Sequence, residues 1–407
     1  MNEINEKKNI RFTKGNTEKL ITATELRNEI AQCLQIDNLN FLIAAGCSSY
    51  IVDEDDGRKI EKAIPTMPGL ANKFYEQYPD FKFDSKNKAK DDDRFKSNLE
   101  ALINHLMSIG NISSDHTRKT VNNKIKTINE FIFNQVCVAD PYSELLKLYK
   151  EFYLRIVKKT RQVPVNIYTT NYDLYNEQAL DSLGFMYNNG FLGSARRIFN
   201  PNSYNYVVVE NLNLSRDVWK SISNFINLYK IHGSINWIKE TDTATDTPQI
   251  LEKDIELIKN RRLFDSLMIY PTPQKDRTTL MVPYSDLFRI MQNNLLKRNS
   301  ILITMGYSFN DEHINRIILN ALSVYDFRIV IFGKSKMIDR LKDIGDNRIW
   351  IINSADDLDV AELPIHYFKN IVEKALPLLN DEQQEDRKIR DSLIKLTSVL
   401  SEDGKNE

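Results

Sequence analysis

Cysteine is scarce in this chain of 407 residues: only Cys33, Cys47 and Cys137 occur, an odd number spread far apart. No Cys-x-x-Cys pair exists. This argues against a disulfide framework and against a four-cysteine zinc site. The usage fits a reducing cytosol. Long apolar runs are also missing, and none approaches the ~20 residues of a membrane helix. The opening MNEINEKKNIRF lacks the apolar stretch of a signal peptide. A soluble, cytoplasmic protein with no membrane partner is expected. An excess of one charge is lacking as well, with 55 Lys and Arg against 56 Asp and Glu. A protein that works by neutralising phosphates is usually more basic, so no direct nucleic-acid binding is expected. Internal repeats and low-complexity tracts are absent too.

What is present is core material. Hydrophobic residues make up 42% of the chain, and its length suits one large α/β domain with an insertion, or two domains. Residues 1 to about 20 are polar and read as a mobile arm. Thr22 and Glu25 fit a capping box, and Leu26, Ile30, Cys33 and Leu34 follow at helical spacing. Phe41 to Ala45 is a continuous apolar run, as in a parallel strand buried on both faces. It leads into the small-residue turn Gly46-Cys47-Ser48-Ser49.

Between about 70 and 160 the pattern turns helical. Phe95, Leu99, Leu102, Ile103 and Leu106 recur at helical spacing, as do Ile125, Ile128, Ile132 and Val136. Asp140 and Pro141 read as an N-cap and first helical residue, with Leu145, Leu148, Tyr149, Phe152 and Ile156 continuing that helix. The charge cluster from Lys86 to Lys96 reads as a solvated loop. This stretch is expected to be a helical module inserted between two strands.

Strands then alternate with helices. Val165–Tyr168, Leu228–Ile231, Leu267–Tyr270, Ile301–Met305 and Phe327–Phe332 read as strands. Ser285 to about Leu296 reads as a helix, and so does the stretch carrying Ile314, Ile317, Ile318 and Leu322. Lys239 to Gln249 reads as a polar loop, and the tail after Asp381 as a charged amphipathic helix striped by Ile389, Leu393 and Leu396. The expected fold class is therefore α/β: a Rossmann-like parallel sheet flanked by helices, with an inserted α-helical module. The expected division is an N-terminal arm and helix over 1–37, the Rossmann-like domain over 38–375 with the module at 70–160 inside it, and a helical tail over 376–407.

Four of the strands end in turns rich in small, polar or ionisable residues, and ligands of open parallel sheets bind at such ends. Small side chains after the first strand let backbone N–H groups approach an anion. Cys47 has nothing beside it in sequence that would activate a nucleophile, and reads as a packed residue. His232 before Gly-Ser suits a base near neutral pH, because histidine titrates there; a satisfied loop histidine is the plainer reading. Asn171 and Asp173 either bind a ligand or cap the following helix. His313, His105, His116 and Trp237 read as structural, and no metal site is expected.

Taken together, AAGCSS at 44–49, TTNYD at 169–173, KIHGSINW at 230–237 and GYSFNDEHIN at 306–315 resemble the sirtuin family, in the family's order and each at a strand end. Their wording is closer to the bacterial antiphage-defence branch than to the histone deacylases. The resemblance spans roughly residues 40 to 335 and implies NAD+ as substrate. It places Ala45, Gly46 and Ser48 against the pyrophosphate, and Thr169 among the cofactor-binding residues. Asn171 would hold the nicotinamide-side ribose and orient a water. Asp173 would bind the nicotinamide amide. His232 would be the general base, and Gly306 and Ser308 would contact the adenosine half. Ala44 stands where the family's turn begins with glycine. The two Cys-x-x-Cys pairs that deacylases place after the histidine are also missing, since Trp237 to Arg262 holds no cysteine. No zinc is expected, and water becomes the expected acceptor.

The resemblance therefore implies an NAD+ glycohydrolase that releases nicotinamide and ADP-ribose and depletes NAD+ during abortive infection. The alternatives are an NAD+-dependent protein deacylase and a non-catalytic module that senses NAD+ or ADP-ribose. The sirtuin component that pairs with a HerA-type hexameric ATPase is the nearest analogy, which implies that ATPase as partner and a homo-oligomer. The helical module and C-terminal helices are expected to govern assembly and switching.

Overall fold

The computed structural model describes residues 6–53, 59–84, 86–112, 114–137, 144–158, 161–210, 220–243, 246–267, 283–355, 364–381, 384–385 and 388. Nine strands make the central sheet: β1 (Ile10–Lys14), β2 (Thr17–Ile21), β3 (Asn38–Ile43), β4 (Val165–Thr169), β5 (Tyr187–Asn188), β6 (Ile226–Lys230), β7 (Ser300–Met305), β8 (Arg328–Phe332) and β9 (Ile349–Ser354). Their spatial order is β2-β1-β9-β8-β7-β3-β4-β6-β5. Every pairing from β9 to β5 is parallel; β1 runs antiparallel to β9, and the turn of the hairpin brings β2 back to the direction of the parallel strands.

The interior strands are buried on both faces, and their side chains divide by alternation. Phe41, Ile43, Ile167, Leu228, Ile301 and Ile303 face one core. There they meet α1 (Ala23–Cys33), α5 (Glu144–Ile156) and α6 (Tyr175–Leu183). Leu42, Tyr168, Tyr229 and Leu302 face the other core, against α8 (Tyr284–Leu295), α9 (Glu312–Ala321) and α10 (Lys336–Asp343). Each such side chain contributes about 1.5–3 kcal/mol by leaving water. The Thr22–Glu25 capping box forms as expected: the Thr22 hydroxyl accepts from the Glu25 amide at 3.1 Å, and the Glu25 carboxylate accepts from the Thr22 amide at 2.8 Å.

A third core belongs to the helical module. It joins α2 (Met67–Gln77), α3 (Leu99–Ile112) and α4 (Asp115–Val136) to Ile238, Leu251 and, from α7 (Ile255–Arg261), Ile258. The module therefore rests on chain far beyond residue 160. In contrast α5, expected within the module, buries Leu145, Tyr149 and Phe152 in the sheet's own core.

Several local expectations change. Residues 10–21 are not a mobile arm but a hairpin, turned at Gly15 and laid along β9. Ile10 and Phe12 face the core while almost all of β2 is exposed, so an edge position produces the polar composition. The expected polar loop at 239–249 is largely the arms of another hairpin, Trp237–Thr241 paired with Pro248–Glu252. That hairpin extends into a small antiparallel sheet with Arg197–Phe199 and Phe191–Leu192. Of the expected strand Leu267–Tyr270, Leu267 forms one bridge to Ile238 and the rest lies outside the described residues. The expected N-cap at Asp140 and Pro141 also lies outside them, and so does the stripe Ile389, Leu393 and Leu396 of the tail. Among the described residues, no helix is long and apolar enough to cross a membrane.

Candidate active site

Four neighbouring strands end at one level. Met305 pairs with Ile43, Ile43 with Thr169, and Thr169 with Lys230. The turns that follow β7, β3, β4 and β6 therefore leave from a common rim. From β3 the chain builds β4, β6 and β5 on one side, and later β7, β8 and β9 on the other. The rim beside β3 is thus a topological switch point, where open α/β sheets bind ligands.

A cavity of about 680 Å³ opens there. Its floor and walls are Ala44–Gly46, Ser48, Thr170–Asp173, His232, Gly306–Ser308, Asn310 and Asp311. The helical module supplies the opposite wall. Thr66, Met67 and Pro68 come from the start of α2, while Ser97, Asn98 and Glu100 come from the start of α3.

Asn171, Ser48 and Asp173 form one chain of hydrogen bonds. The Asn171 Nδ2 donates to Ser48 Oγ at 2.8 Å, and Ser48 Oγ donates to Asp173 Oδ2 at 2.9 Å. Asp173 also accepts from the Tyr175 amide at 3.2 Å, so it holds the first residue of α6 and lines the cavity at once. Burial pushes its carboxyl above the ordinary range, against the opposing pull of Lys230, the Tyr175 amide and Ser48. Beneath the turn lies a buried ion pair, Lys230 Nζ to Glu177 Oε1 at 3.1 Å. The same ammonium donates to the carbonyls of Tyr172 and Asp173. Lys230 thus ties β6 to the 169–173 turn from below.

His232 is bound to Asp311, with Nε2 to Oδ2 at 3.0 Å. The other Asp311 oxygen accepts the amides of His313 and Ile314 and caps α9. Burial works against a charged imidazole, yet the Asp311 hydrogen bond and the charges of Glu100 and Asp311 prevail and raise the His232 pKa. Burial likewise works against ionised Asp311, but His232 and the two amides hold its carboxyl below the usual range. Glu100 accepts from the Tyr172 hydroxyl. Burial pushes its carboxyl up, against the pull of His232 and Tyr172.

Two glycines set the narrowest point. A Cβ on Gly46 would sit 2.7 Å from Gly306 Cα, and one on Gly306 would sit 2.5 Å from the Cys47 nitrogen. Gly306 also has φ of +64°, a region that side chains disfavour. These glycines bring the β3 and β7 turns together, and the Gly46 amide donates to the Gly306 carbonyl at 3.1 Å. The amides of Cys47 and Ser48 donate to Ala44 and Ala45 in a tight 3₁₀ turn. The expected cradle of amides for an anion is therefore spent inside the turn.

Of the residues expected at the site, Ala45, Gly46, Ser48, Asn171, Asp173, His232, Gly306 and Ser308 all line the cavity. Thr169 does not; its hydroxyl lies below the rim and accepts from the Asn171 amide at 3.0 Å. Ser48, expected at phosphate, lines the cavity with its hydroxyl in the Asn171–Asp173 network. Cys47 is buried with its thiol pushed up by burial, as a packed residue should be. His313 packs near Phe288, and His105 lies between Phe83 and Phe95 in the module. The sequence reading missed Asp311, Lys230 and Glu100. Asp311 stood inside a quoted motif, with the signature of a helix cap. Glu100 reaches the site only through tertiary packing.

Comparison with known families supplies the remaining observation. Residues 165–349 match the SIR2-like domain. The SIR2-like segment begins at β4 and ends at the first residue of β9. It contains Asn171, Asp173, His232, Gly306, Ser308 and Asp311, while Gly46, Ser48 and Glu100 precede it. The match supports a sirtuin-like relationship. SIR2-like domains are typically NAD-dependent enzymes, so the match supports NAD-related chemistry. No curated protein matches the chain.

Proposed function

We propose that this protein binds NAD+ in the cavity and hydrolyses its nicotinamide–ribose bond. One observation carries the reading: Asn171 and Asp173 from one strand end and His232 from the next, all within the SIR2-like segment, line one cavity, and His232 is already paired with a carboxylate. A cavity of about 680 Å³ lies in the size range of small-molecule sites. Beside it, with Asn310 on the boundary of both, lies a groove between α9 and α10 that offers Arg316, Lys336 and Arg340. In this reading the nicotinamide riboside half occupies the cavity, and the adenosine half extends past Gly306 and Ser308. With the Gly46, Cys47 and Ser48 amides of the β3 turn spent, the start of α2 supplies a positive dipole end for the pyrophosphate.

The chemistry follows from the residues. Asp173 and Asn171 hold the nicotinamide amide and the adjoining ribose, fixing both fragments of the bond that breaks. As the bond to the pyridinium nitrogen breaks, its electron pair returns to the ring and nicotinamide leaves neutral. Water bonds to the anomeric carbon and yields a proton to His232. Asp311 orients the imidazole and stabilises the imidazolium, as the carboxylate of a catalytic triad does. The balance is NAD+ plus water to nicotinamide, ADP-ribose and one proton. Where sirtuin deacylases carry zinc cysteines, this chain has the Trp237–Glu252 hairpin, and Ile238 and Leu251 on it pack into the module. That favours water over an acyl-lysine peptide as acceptor.

We extend the proposal to the setting that the family resemblance implies: depletion of NAD+ as an effector of antiphage defence, in a homo-oligomer that joins a HerA-type hexameric ATPase. Co-purification with that ATPase tests the partner, and failure to form a complex rejects it. The activity is tested by separating the products of NAD+ incubated with purified protein, alone and with the ATPase. Nicotinamide and ADP-ribose should appear together. Asn171→Ala and His232→Ala should each lose about 10²–10⁴-fold. Turnover that survives both substitutions would reject this site.

A further inference from the structure

Nothing in the turns at the sheet's rim calls for an acidic residue from another part of the chain. Yet Glu100, in the first turn of α3, lines the cavity together with Asp173, His232 and Asp311. Its position is fixed from the rim. The hydroxyl of Tyr172, which lies between Asn171 and Asp173, donates to Glu100 Oε1. Tyr172 packs against the module core, so this hydrogen bond joins the two cores at the site itself.

The charged groups around His232 come from three directions. Asp311 approaches from the turn before α9 and is bonded to the ring, and Asp173 lines the cavity from the turn after β4. Glu100 comes from α3. On its own strand Lys230 is occupied by Glu177 and two carbonyls. The other lining residues from the module that lie on or beside α2 and α4, Thr66, Met67, Leu70 and Val136, carry no charge. Among the described residues, Glu100 is thus the acidic group that the module brings to this cavity.

We propose that Glu100 is a positioning residue for His232: pinned by the Tyr172 hydroxyl, it places a module-borne carboxylate at the base and so couples the seating of the helical module to the proton on the imidazole. The inference rests on the proposed role of His232. Its logic is electrostatic. Two carboxylates near one imidazole favour the imidazolium, in which the base already carries a proton. A module seated on the rim therefore holds His232 charged, and a module displaced from it releases the neutral base at the same pH. Asp311 cannot serve this purpose, because it is fixed to α9 within the same body as the sheet. The supporting electrostatics are mutual: the charge of Glu100 raises the His232 pKa, and that of His232 opposes the burial that pushes the Glu100 carboxyl up.

The test reads the imidazole directly. The chain has five histidines, so the full-length protein labelled with ¹³C at histidine Cε1 gives few resonances, and His232→Ala assigns the one that matters. In Glu100→Gln the His232 resonance should titrate at lower pH than in wild type, while the other four keep their midpoints. Tyr172→Phe leaves the carboxyl in place but removes its hydroxyl partner, and should move His232 in the same direction by less. If Glu100→Gln fails to fold by circular dichroism, Tyr172→Phe decides. An unchanged or higher midpoint in the folded variants overturns the proposal. The titration needs no turnover. A protein that never hydrolyses NAD+ but shows the shift would reject the enzymatic reading and keep the coupling, and the converse result would do the opposite.

Discussion

Replacing Lys230 by methionine removes one charge from the floor of the site while keeping a chain of similar length. Lys230 is only 1% exposed, and its ammonium serves Glu177 and the carbonyls of Tyr172 and Asp173. Its loss leaves a buried carboxylate without its cation. Breaking a buried pair from one side costs about 3–5 kcal/mol. Unfolding entropy scales with length, so in a chain of this size each kcal/mol corresponds to a fall in Tm of roughly 1 °C, and the variant should melt about 3–5 °C lower. The pH dependence gives a sharper check. Burial already raises the Glu177 carboxyl above its ordinary 4.5, against the opposing charge of Lys230. Without Lys230 that rise grows. A carboxyl raised in the folded state binds more protons there than when unfolded, so its stability falls as pH rises through the folded pKa. The Tm deficit should therefore be widest near neutral pH and close as pH drops toward the ordinary carboxylate range. Adding Glu177→Gln to Lys230→Met removes the stranded charge and should recover most of the Tm. It should not restore NAD+ binding, because the two carbonyls of the 169–173 turn remain without their donor. Differential scanning fluorimetry across pH, with calorimetric titration of NAD+, reads all of this. A single variant that loses less than about 1 kcal/mol, or a double variant as unstable as the single, would refute the reasoning.

Other outcomes follow from the same geometry. A base must be neutral to act, so the rate of NAD+ hydrolysis should rise with pH through the raised pKa of His232. Asp311→Asn removes the partner that raises it; the limb should move to lower pH while the plateau falls about 10²–10⁴-fold, and a limb that stays in place would dissociate His232 from the profile. Gly306→Ala forces a Cβ to 2.5 Å from the Cys47 nitrogen at φ of +64°. It should cost more than about 1 kcal/mol in chemical denaturation and weaken NAD+ binding, and a neutral result would mean that the two turns are not in contact.

Much of this site was legible because parallel sheets place function at strand ends. The interior strands announced themselves as continuous apolar runs, and the turns after them held small or ionisable residues. Local chemistry fixed such details as the Thr22–Glu25 box. Asp311 and the apolar run Ile349–Ile352 carried local signatures that were passed over, while most of what else escaped had none. Ile349–Ser354 joins the sheet as β9 although the sequence reading passed over it, and its antiparallel partner β1 looked like a polar arm because only one face of that hairpin is covered. The Trp237–Thr241 hairpin was hidden by polar arms. Glu100 was hidden more deeply. It is one of many acids in a charged helical stretch, and only the packing of α3 on the rim separates it from the rest. Thr169 erred the other way, being near the site in sequence and beneath it in space.

Asp311 gives one oxygen to two amides at the head of α9 and the other to His232. A carboxylate held at both ends cannot swing to follow its partner. The imidazole is therefore braced against a ten-residue helix before any substrate arrives, and no ordering of that pair is left for the reaction to supply. The same brace is a route for disturbance: a partner that tilts α9 by pressing on its exposed face would turn the imidazole with it, without ever entering the cavity.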